Sequence, residues 1–454
     1  MKIRALYVTI IVKILKIYVK LCVLKKETVI FMKRILAFIL SFSLLLAVGC
    51  SADKKTDSNK SKLKELQKYI FEVEEYTSLD YDCADAFYAK SNDNWGGGCS
   101  AISKTVDGHR LVGRNMDQSI SNKCAYIVRT NAGKYKTFGL VYTHRDYSPD
   151  YDDVKANGIS DEFYKTLPFM CDDVLNSGGL HIEINMRHGE YWPNGEDKFA
   201  CKGTNPESEK RVYMFELPRY IGENCATVEE AKKYVSTLDV YSQNHYWNYC
   251  FIVSDSTGHS SLLEFSSNEV HWLDEENIES YDWLNVYNTK AIAQANFYLN
   301  KDAWLTQDIK TGEGRFIALQ KGIDSVNSRS DMYNLMKKVQ YSNYYLDYDE
   351  CKNNYFDPRS ENIGEVSWAV YELLMNPDFE DTGRKLINEA NAKVRSLSRK
   401  EKQDINEYWE SIFTEVVDVN TKEIFVRIYE SDDSLYLINF KGTTKLNSIN
   451  DWKS

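Results

Sequence analysis

One short hairpin constrains this chain more than any other segment does. Two runs of residues with apolar side chains flank the pair Asp107-Gly108. An Asp-Gly pair in that setting is the strongest short-range signal for a two-residue β-turn. Such a turn places Cys99 opposite Met116, and Arg114 then lies on the diagonal of the same face, roughly 7–8 Å from Cys99. The sequence therefore predicts a cysteine near the start of a strand with an arginine beside it.

This hairpin lacks a side chain that could remove the proton from the Cys99 thiol. A neighbouring arginine favours the thiolate, the nucleophilic form of cysteine, but it accepts no proton. His109 sits at the turn, away from Cys99. If the chain is cut after Gly98, Cys99 gains a free α-amine with an unperturbed pKa of about 7.7–8.0, and that amine is a suitable base. Three glycines, 96–98, supply backbone freedom at the cut. Asp117 nominally faces away and needs a bend or bulge to approach Cys99.

The remaining patterns predict an α+β fold in which antiparallel sheets carry helices on their outer faces. Residues 180–186 alternate between apolar and polar side chains, as a half-buried strand does, and a hairpin is predicted around 255–258. Residues 283–288 are predicted to continue the sheet. Helices are predicted at 315–323 and 331–339, before a last group of strands. A hydrophobic share of 43% in 454 residues is enough to bury a large core.

The first 49 residues are predicted to be a targeting segment. A basic start at Met32 precedes an apolar run, 35–48, that is short for a membrane span. Gly49-Cys50 then resembles the end of a bacterial lipoprotein signal, with Cys50 as the lipidated residue. An uncleaved anchor is the alternative. Residues 1–31 either form an extra span or precede the true start at Met32. Each interpretation places the body outside the cytoplasm, and a lipid anchor would hold it on the cell membrane.

Residues 50–98 are predicted to be a tether followed by a propeptide-like helix. A polar stretch comes first, and Leu63, Leu66, Ile70 and Val73 then recur at the spacing of a helix face. A linker alone would not need that apolar stripe. We therefore expect a short amphipathic helix before the predicted cut.

Composition argues against several classes of function. The formal net charge is −11, and the body is more acidic still because the first 49 residues are basic. Such a surface repels phosphate backbones, so we expect no nucleic-acid partner. The ten cysteines include no C-x-x-C pair and the seven histidines no H-E-x-x-H motif. We therefore expect no metal site and no cofactor. His181 and His245 are candidate partners for a papain-like cysteine, but no papain signature surrounds any cysteine.

Several segments resemble the choloylglycine hydrolase family of N-terminal nucleophile hydrolases. These linear amide C-N hydrolases include bile salt hydrolases and penicillin V acylases, with acid ceramidase and N-acylethanolamine acid amidase as more distant relatives. The hairpin, CSAI…DGHRLVGRNMD, is similar to the start of the mature enzyme. LNSGGLHIEINM places Asn185 on the family's second asparagine, NVYNTK places Asn288 on the oxyanion asparagine, and GRFIAL places Arg315 on the late active-site arginine. The resemblance implies that Asn288 and Asn185 hold the oxyanion and that Arg315 completes the electrostatic ring.

The resemblance implies a four-layer αββα sandwich and an amide hydrolase domain at residues 99–454. It implies that Cys99, with its own α-amine as base, attacks the carbonyl carbon of a linear amide. Asp117 would orient that amine, and Arg114 would support the thiolate.

Departures from the family pattern leave the substrate open. Met186 follows Asn185 where Phe-Pro is usual, and Tyr287 precedes Asn288 where Thr is usual. The implied substrate is a small molecule that joins an apolar acyl group to a small amine, such as a conjugated bile salt, penicillin V or an N-acyl amino compound. Two alternatives stay open: an acyltransferase that uses the same cysteine, and a surface-binding lipoprotein of this fold without catalysis. Whether the chain forms a homo-oligomer is also open.

The segment before Cys99 is longer than bile salt hydrolases have. It is similar in kind to the N-terminal chain of the ceramidase-like members, which stays attached after cleavage. A disulfide between Cys83 and Cys351 is one hypothesis for how it is tied to the body.

Overall fold

The structure is a computed structural model of the 454-residue chain. It describes residues 59–90, 98–119, 121–142, 148–188, 198–242, 247–307, 312–340, 381, 409–428 and 434–452. The predicted targeting segment, Cys50 and Cys351 lie outside these residues. No helix in the described ranges is long and apolar enough to cross a membrane.

Two large β-sheets form the middle of the molecule. The first has nine strands, which are, in spatial order, β1 (Leu63–Gln67), β2 (Ile70–Val73), β5 (Ala125–Thr130), β6 (Thr137–Tyr142), β7 (Asp173–Asn176), β8 (Leu180–His188), β11 (Trp247–Asp255), β12 (Ser260–Ser266) and β13 (Glu269–Asp274). The second has seven, which are β14 (Ala293–Gln294), β3 (Gly98–Val106), β4 (His109–Ser119), β15 (Trp409–Asp418), β16 (Glu423–Ile428), β17 (Leu435–Asn439) and β18 (Gly442–Leu446). A small parallel pair is formed by β9 (Arg211–Tyr213) and β10 (Asp239–Tyr241).

Helices cover the outer faces of both sheets. The described α-helices are α1 (Tyr81–Lys90), α2 (Tyr151–Asn157), α3 (Asp161–Thr166), α4 (Leu217–Asn224), α5 (Val228–Val235), α6 (Lys301–Thr306), α7 (Glu313–Gly322) and α8 (Arg329–Lys338). Helix α4 packs on β7 and β8 of the first sheet, whereas α8 packs on β4 and β15 of the second. Strands β3 and β8 contact each other across the two sheets. The order of layers is therefore helix, sheet, sheet, helix, and the predicted α+β fold with an αββα sandwich is confirmed.

The predicted hairpin is confirmed residue by residue. Asp107 and Gly108 form its turn with φ angles of 49° and 80°, the left-handed values that a two-residue hairpin turn requires. Strands β3 and β4 then pair in the predicted register, with Cys99 opposite Met116 and Arg114 opposite Ala101. The nucleophile candidate and its arginine therefore share one face of the second sheet.

The alternating strand is also confirmed, and it separates the two cores. On β8, the apolar residues Leu180, Ile182, Ile184 and Met186 belong to the core between the first sheet and its helices. The polar residues between them face the second sheet, where Glu183 reaches Arg114. This alternation places polar side chains in the space between the sheets.

Two expectations about secondary structure are wrong. The apolar stripe from Leu63 to Val73 forms the hairpin β1–β2 and not a helix. Strand β2 is buried on both faces, with Ile70 between the sheets and Phe71 and Val73 in the outer core. Burial on both faces removes the period-two pattern, so the spacing imitated a helix. Residues 283–288, expected as a strand, lie mostly in a 3-10 helix, Asp282–Tyr287.

Candidate active site

The thiol of Cys99 lies between the two sheets, beneath the β8 strand. Arg114 Nη2 is 3.9 Å from Cys99 Sγ and donates to the carbonyl oxygen of Ile184 at 2.9 Å. The backbone N–H of Met186 also bonds to the Cys99 sulfur. The diagonal pair that the hairpin predicts is therefore in contact, and β8 closes over it.

Arg114 is held by carboxylates from both sheets. Its Nε donates to Glu183 Oε2 at 3.1 Å, and its Nη1 donates to Glu415 Oε1 at 3.4 Å. All three side chains are fully buried. Burial works against the charge on Arg114, but the neighbouring Cys99, Glu415 and Glu183 outweigh it and raise the pKa of the guanidinium. Arg114 is thus a fixed positive charge beside the sulfur.

Burial acts in the opposite sense on the acids around this charge. It raises the pKa of Glu183 to about 7 and that of Asp172 to about 7, although Arg114 lowers both. The pKa of Glu415 is also raised by burial, and further by Asp173. One arginine does not neutralise three buried carboxyl groups, so this cluster retains protons near neutral pH.

In the intact chain the Cys99 thiol is not an ionised nucleophile. Burial raises its pKa to about 12, with Arg114 lowering it and Asp117 and Glu183 raising it. The arginine favours the thiolate, as expected, but loss of hydration outweighs this positive neighbour. A base close to the sulfur is required.

The opposite side of Cys99 meets a second set of polar groups. Arg315 Nη1 donates to the carbonyl oxygen of Cys99 at 3.0 Å and to Asp117 Oδ2 at 2.7 Å. Ser411 donates to the other oxygen of Asp117 at 2.5 Å. The irregularity in strand pairing lies in β15, between Ser411 and Phe413, and not in β4. Asp117 therefore stays on the face opposite the thiol and approaches the backbone of Cys99 through Arg315.

Asn296 completes the surroundings of the Cys99 backbone nitrogen. The Cys99 N–H donates to Asn296 Oδ1 at 3.3 Å, and Arg315 Nη2 donates to the same oxygen at 2.7 Å. Asn296 Nδ2 donates to the carbonyl oxygen of Met186. The nitrogen, the carbonyl oxygen and the thiol of Cys99 therefore each have a different polar partner.

Asn288 does not join this cluster. It is exposed, adopts left-handed φ and ψ angles of 48° and 54°, and ends the 3-10 helix with its N–H on Asn285. Asparagine tolerates that conformation, so the residue serves as a turn terminator. Asn296, and not Asn288, is the asparagine that lies beside Cys99. It directly follows the short strand β14, which pairs with β3 next to Cys99.

The structure thus brings Cys99, Arg114, Asp117, Asn185 and Arg315 together and leaves Asn288 outside. Sequence reasoning missed Asn296, Glu183 and Glu415. A signal existed for Glu183, since it occupies a polar position of the alternating strand two residues before Asn185. For Asn296 the only signal was a second asparagine eight residues after the first, and no local pattern marked Glu415.

The described residues bear on the expectations about metal ligands and about a Cys83 disulfide. Within the described ranges no group of three or more His, Cys, Asp or Glu residues is arranged to hold a metal ion. Cys83 is a free cysteine with respect to the described residues, and its hypothetical partner Cys351 lies outside them.

These features form the architecture that the sequence resemblance implies: a sandwich of two sheets between helices, with a cysteine near the start of an inner strand. Residues 99–290 match the model of the family described as linear amide C-N hydrolases, choloylglycine hydrolase family. The resemblance seen in the sequence is therefore confirmed for residues 99–290, which are similar to linear amide hydrolases of choloylglycine hydrolase type.

Solved structures of such hydrolases are similar to the chain at low identity. A variant of conjugated bile acid hydrolase from Clostridium perfringens is 16% identical with a TM-score of 0.39, covering 78% of this chain and 100% of that one. Penicillin V acylase from Agrobacterium tumefaciens is 10% identical with a TM-score of 0.37, covering 77% of this chain and 87% of that one. These likenesses are too distant to bear on substrate. No curated protein matches the chain.

Proposed function

We propose that the chain cuts itself between Gly98 and Cys99 and then hydrolyses a linear amide with Cys99 as the nucleophile. The observation that carries this proposal is the set of polar groups around the backbone nitrogen of Cys99. That nitrogen bonds to Asn296 Oδ1, and Arg315 links the same oxygen to Asp117. In the uncut chain the nitrogen is an amide and no base. After the cut it is an amine beside groups that orient it.

The proposed attack uses the two faces of the nucleophile strand. On one face the α-amine takes the thiol proton, and Asp117 and Arg315 orient that amine through Asn296. On the other face Arg114, fixed by Glu183 and Glu415, stabilises the negative sulfur. The thiolate adds to the amide carbon, the amine of the substrate leaves with the proton, and water releases the acyl group from the thioester.

The Asn296 amide group is the donor best placed for the oxyanion of the tetrahedral intermediate. Its Nδ2 already donates to a carbonyl oxygen, that of Met186, close to the sulfur. A preorganised donor of this kind is worth about 3–4 kcal/mol of barrier. This assignment replaces the one expected for Asn288.

The proposed substrate joins an apolar acyl group to a small polar amine, as in a conjugated bile salt, penicillin V or an N-acyl amino compound. The family match supports the amide bond, and the departures at Met186 and Tyr287 leave the acyl group open. We also propose that the lipid anchor at Cys50 holds the enzyme on the outer side of the cell membrane. An acyltransferase and a non-catalytic binding lipoprotein are the outcomes that would replace hydrolysis.

The segment before Cys99 is proposed to stay bound after the cut. Strand β2 pairs in parallel with β5, and Ile70 is fully buried between the sheets. Arg129 donates to Glu72 on this segment and to Thr443 and the Asn439 carbonyl on the second sheet. Removing these contacts would expose the edge of both sheets, so we expect the small fragment to copurify with the body.

The test is intact-mass analysis and amide hydrolysis by wild type and Cys99→Ala. Wild type is expected as two polypeptides, with the larger beginning at Cys99. The alanine variant is expected to stay whole and to hydrolyse nothing. An active wild-type enzyme in which residue 99 is still joined to Gly98 would overturn the α-amine as base. Acyl transfer to an added amine in preference to water would identify the acyltransferase.

A further inference from the structure

The side-chain amide of Asn185 is held in one orientation. Its Nδ2 donates to Glu183 Oε1 at 3.1 Å. The same carboxylate oxygen accepts from the backbone N–H of Ile252 at 3.3 Å, and the other oxygen accepts from Arg114 at 3.1 Å. All three contacts use Glu183 as an acceptor. When Glu183 is ionised, above its pKa of about 7, turning the amide over would set the Asn185 oxygen against a carboxylate oxygen, which is unfavourable. Glu183 therefore holds the Asn185 amide so that its nitrogen faces Glu183 and its oxygen faces away.

That other end is a buried acceptor without a donor. Among the residues that the structure describes, no hydrogen-bond donor reaches Asn185 Oδ1, although Asn185 is fully buried. A buried carbonyl oxygen left without a partner destabilises the folded state. A strand position that keeps such an atom is suited to a ligand that supplies the donor.

The unpartnered oxygen belongs to the strand segment that contacts the nucleophile. The residue before it, Ile184, accepts from Arg114 through its carbonyl oxygen. The residue after it, Met186, donates its N–H to the Cys99 sulfur and accepts from Asn296 through its carbonyl oxygen. A substrate amide bond at the Cys99 sulfur therefore lies next to Asn185.

In the uncut chain the donors around the Cys99 backbone already bond to other acceptors. The backbone nitrogen of Cys99 donates to Asn296 Oδ1, and Arg315 donates to Asn296, to Asp117 and to the Cys99 carbonyl. A linear amide substrate brings one donor of its own, the N–H of the amide bond. A carbonyl oxygen does not stabilise an oxyanion, so the side chain of Asn185 is unsuited to the donor role that was expected of it.

We propose that Asn185 Oδ1 accepts a hydrogen bond from the N–H of the scissile amide, with Glu183 as the positioning residue that turns this oxygen to the substrate. This inference rests on the proposed function, because it needs an amide bound at Cys99. It makes the site selective for secondary amides over esters of the same acyl group. An ester has no N–H and leaves the buried acceptor unpaired, which is the arrangement that gives strong discrimination between isosteric substrates.

The experiment compares matched substrates that differ at one atom. Each is the 4-nitroanilide or the 4-nitrophenyl ester of one acyl group, taken as the group that wild type accepts best among bile acyl, phenoxyacetyl and fatty acyl. The readout is kcat/KM, which reports the steps up to formation of the thioester. Asn185→Leu removes the acceptor at similar volume. We expect its kcat/KM to fall about tenfold for the anilide, the size of one lost hydrogen bond, and less than threefold for the ester.

Two further variants separate positioning from packing. Glu183→Gln lets the Asn185 amide turn over, and its anilide-to-ester ratio is expected to fall towards that of Asn185→Leu. Glu415→Gln also touches Arg114 but has no bond to Asn185, and its ratio is expected to match wild type even if both rates fall. Self-cleavage and thermal melting report whether each variant folds. If Asn185→Leu does not fold, Glu183→Gln carries the test.

The outcomes distinguish this inference from the function beneath it. An unchanged anilide-to-ester ratio in Asn185→Leu or, where that variant does not fold, in Glu183→Gln overturns the acceptor role of Asn185 while hydrolysis stands. Equal losses for both substrates leave the ratio unchanged and assign Asn185 to the carbonyl or to the α-amine. A folded, self-cleaved wild type that hydrolyses none of the anilides overturns the proposed function, and the inference with it.

Discussion

Among the residues that the structure describes, the buried cysteines Cys99 and Cys171 each lie beside a buried arginine, and we propose that only Cys99 reacts. Cys99 Sγ is 3.9 Å from Arg114 Nη2, between the sheets. Cys171 Sγ is closer to its arginine, at 3.0 Å from Arg219 Nη2, and lies between the first sheet and its helices. Burial raises the pKa of both thiols to about 12, and the arginine lowers it in each case. A neighbouring positive charge therefore does not distinguish them.

The difference lies in what surrounds the backbone. Arg219 donates to Thr130 and Thr137, which fasten helix α4 to the first sheet, and to the Pro168 carbonyl. Cys99 instead follows a glycine at the start of its strand, and its own nitrogen and carbonyl bond to Asn296 and Arg315. Under the proposed function, the base and not the charged neighbour of the thiol is what distinguishes Cys99 from Cys171.

The largest expected effect comes from removing each sulfur in turn. Cys99→Ala is expected to lower amide hydrolysis by a factor of at least about 10³, because the nucleophile is lost. Cys171→Ala is expected to keep self-cleavage and to stay within about threefold of wild-type activity, with a lower melting temperature from the cavity. Intact mass, hydrolysis rates and calorimetry measure these effects. Loss of self-cleavage in folded Cys171→Ala would break the distinction between the two cysteines.

A second test concerns Asn296, the asparagine that bonds to the backbone nitrogen of Cys99. Asn296→Ala removes the oxygen beside the Cys99 nitrogen and the amide donor beside its sulfur, and is expected to lower kcat by about 10²–10³. Asn288→Ala is the matched control and is expected to change kcat less than twofold, since Asn288 is exposed and outside the cluster. Steady-state kinetics decide between them. A large loss in Asn288→Ala with none in Asn296→Ala would restore the original assignment.

Substitution of either arginine is expected to lower stability, because Glu183 and Glu415 also lose a buried partner when Arg114 is removed. Only Arg114 is expected to affect activity per folded molecule. Arg114→Met removes a charged group from the sulfur and is expected to lower kcat/KM by about 10–100-fold, the size of one charge-assisted hydrogen bond. Arg219→Met leaves buried partners uncompensated and is expected to lower stability by about 3–5 kcal/mol with little change in activity per folded molecule. Denaturation and active-site titration together test this. Equal activity losses per folded molecule would remove the contrast.

The smallest expected effect is a pH dependence of stability, which arises from two buried acids near Arg114. Asp172 and Glu183 have pKa values raised to about 7 by burial. The folded chain therefore binds more protons than the unfolded chain between about pH 4 and 7, so their contribution to stability is present at low pH and is lost as the pH rises through 7. We expect the melting temperature to rise by roughly 2–4 °C from pH 8 to pH 5.5.

Glu183→Gln is the control for this pH dependence, since it removes one titrating group. Its melting temperature is expected to vary less with pH than that of wild type. A wild-type melting temperature that falls on acidification over the same range would contradict the assignment of raised pKa values to these two acids.

Sequence reasoning succeeded where the structure is set by neighbours along the chain. The turn residues Asp107 and Gly108 fixed the register of β3 and β4, and with it the contact between Cys99 and Arg114. It failed for β1 and β2 and for Asn288. Strand β2 is buried on both faces, which hides its period. Asn288 was placed by a short resemblance in a segment that forms a 3-10 helix.

The sequence by itself determined the pairing of Cys99 with Arg114 and the strands that hold them, because a two-residue turn has a restricted geometry and the side chains of a strand alternate. Only the tertiary structure decided what surrounds that pair. Glu415 contacts Arg114 from 301 positions away, and Arg315 contacts Asp117 from 198. No local pattern encodes such contacts, since they depend on how two sheets and a helix layer bury their faces against one another. The orientation of Asn185, fixed by Glu183, likewise follows from packing between the sheets.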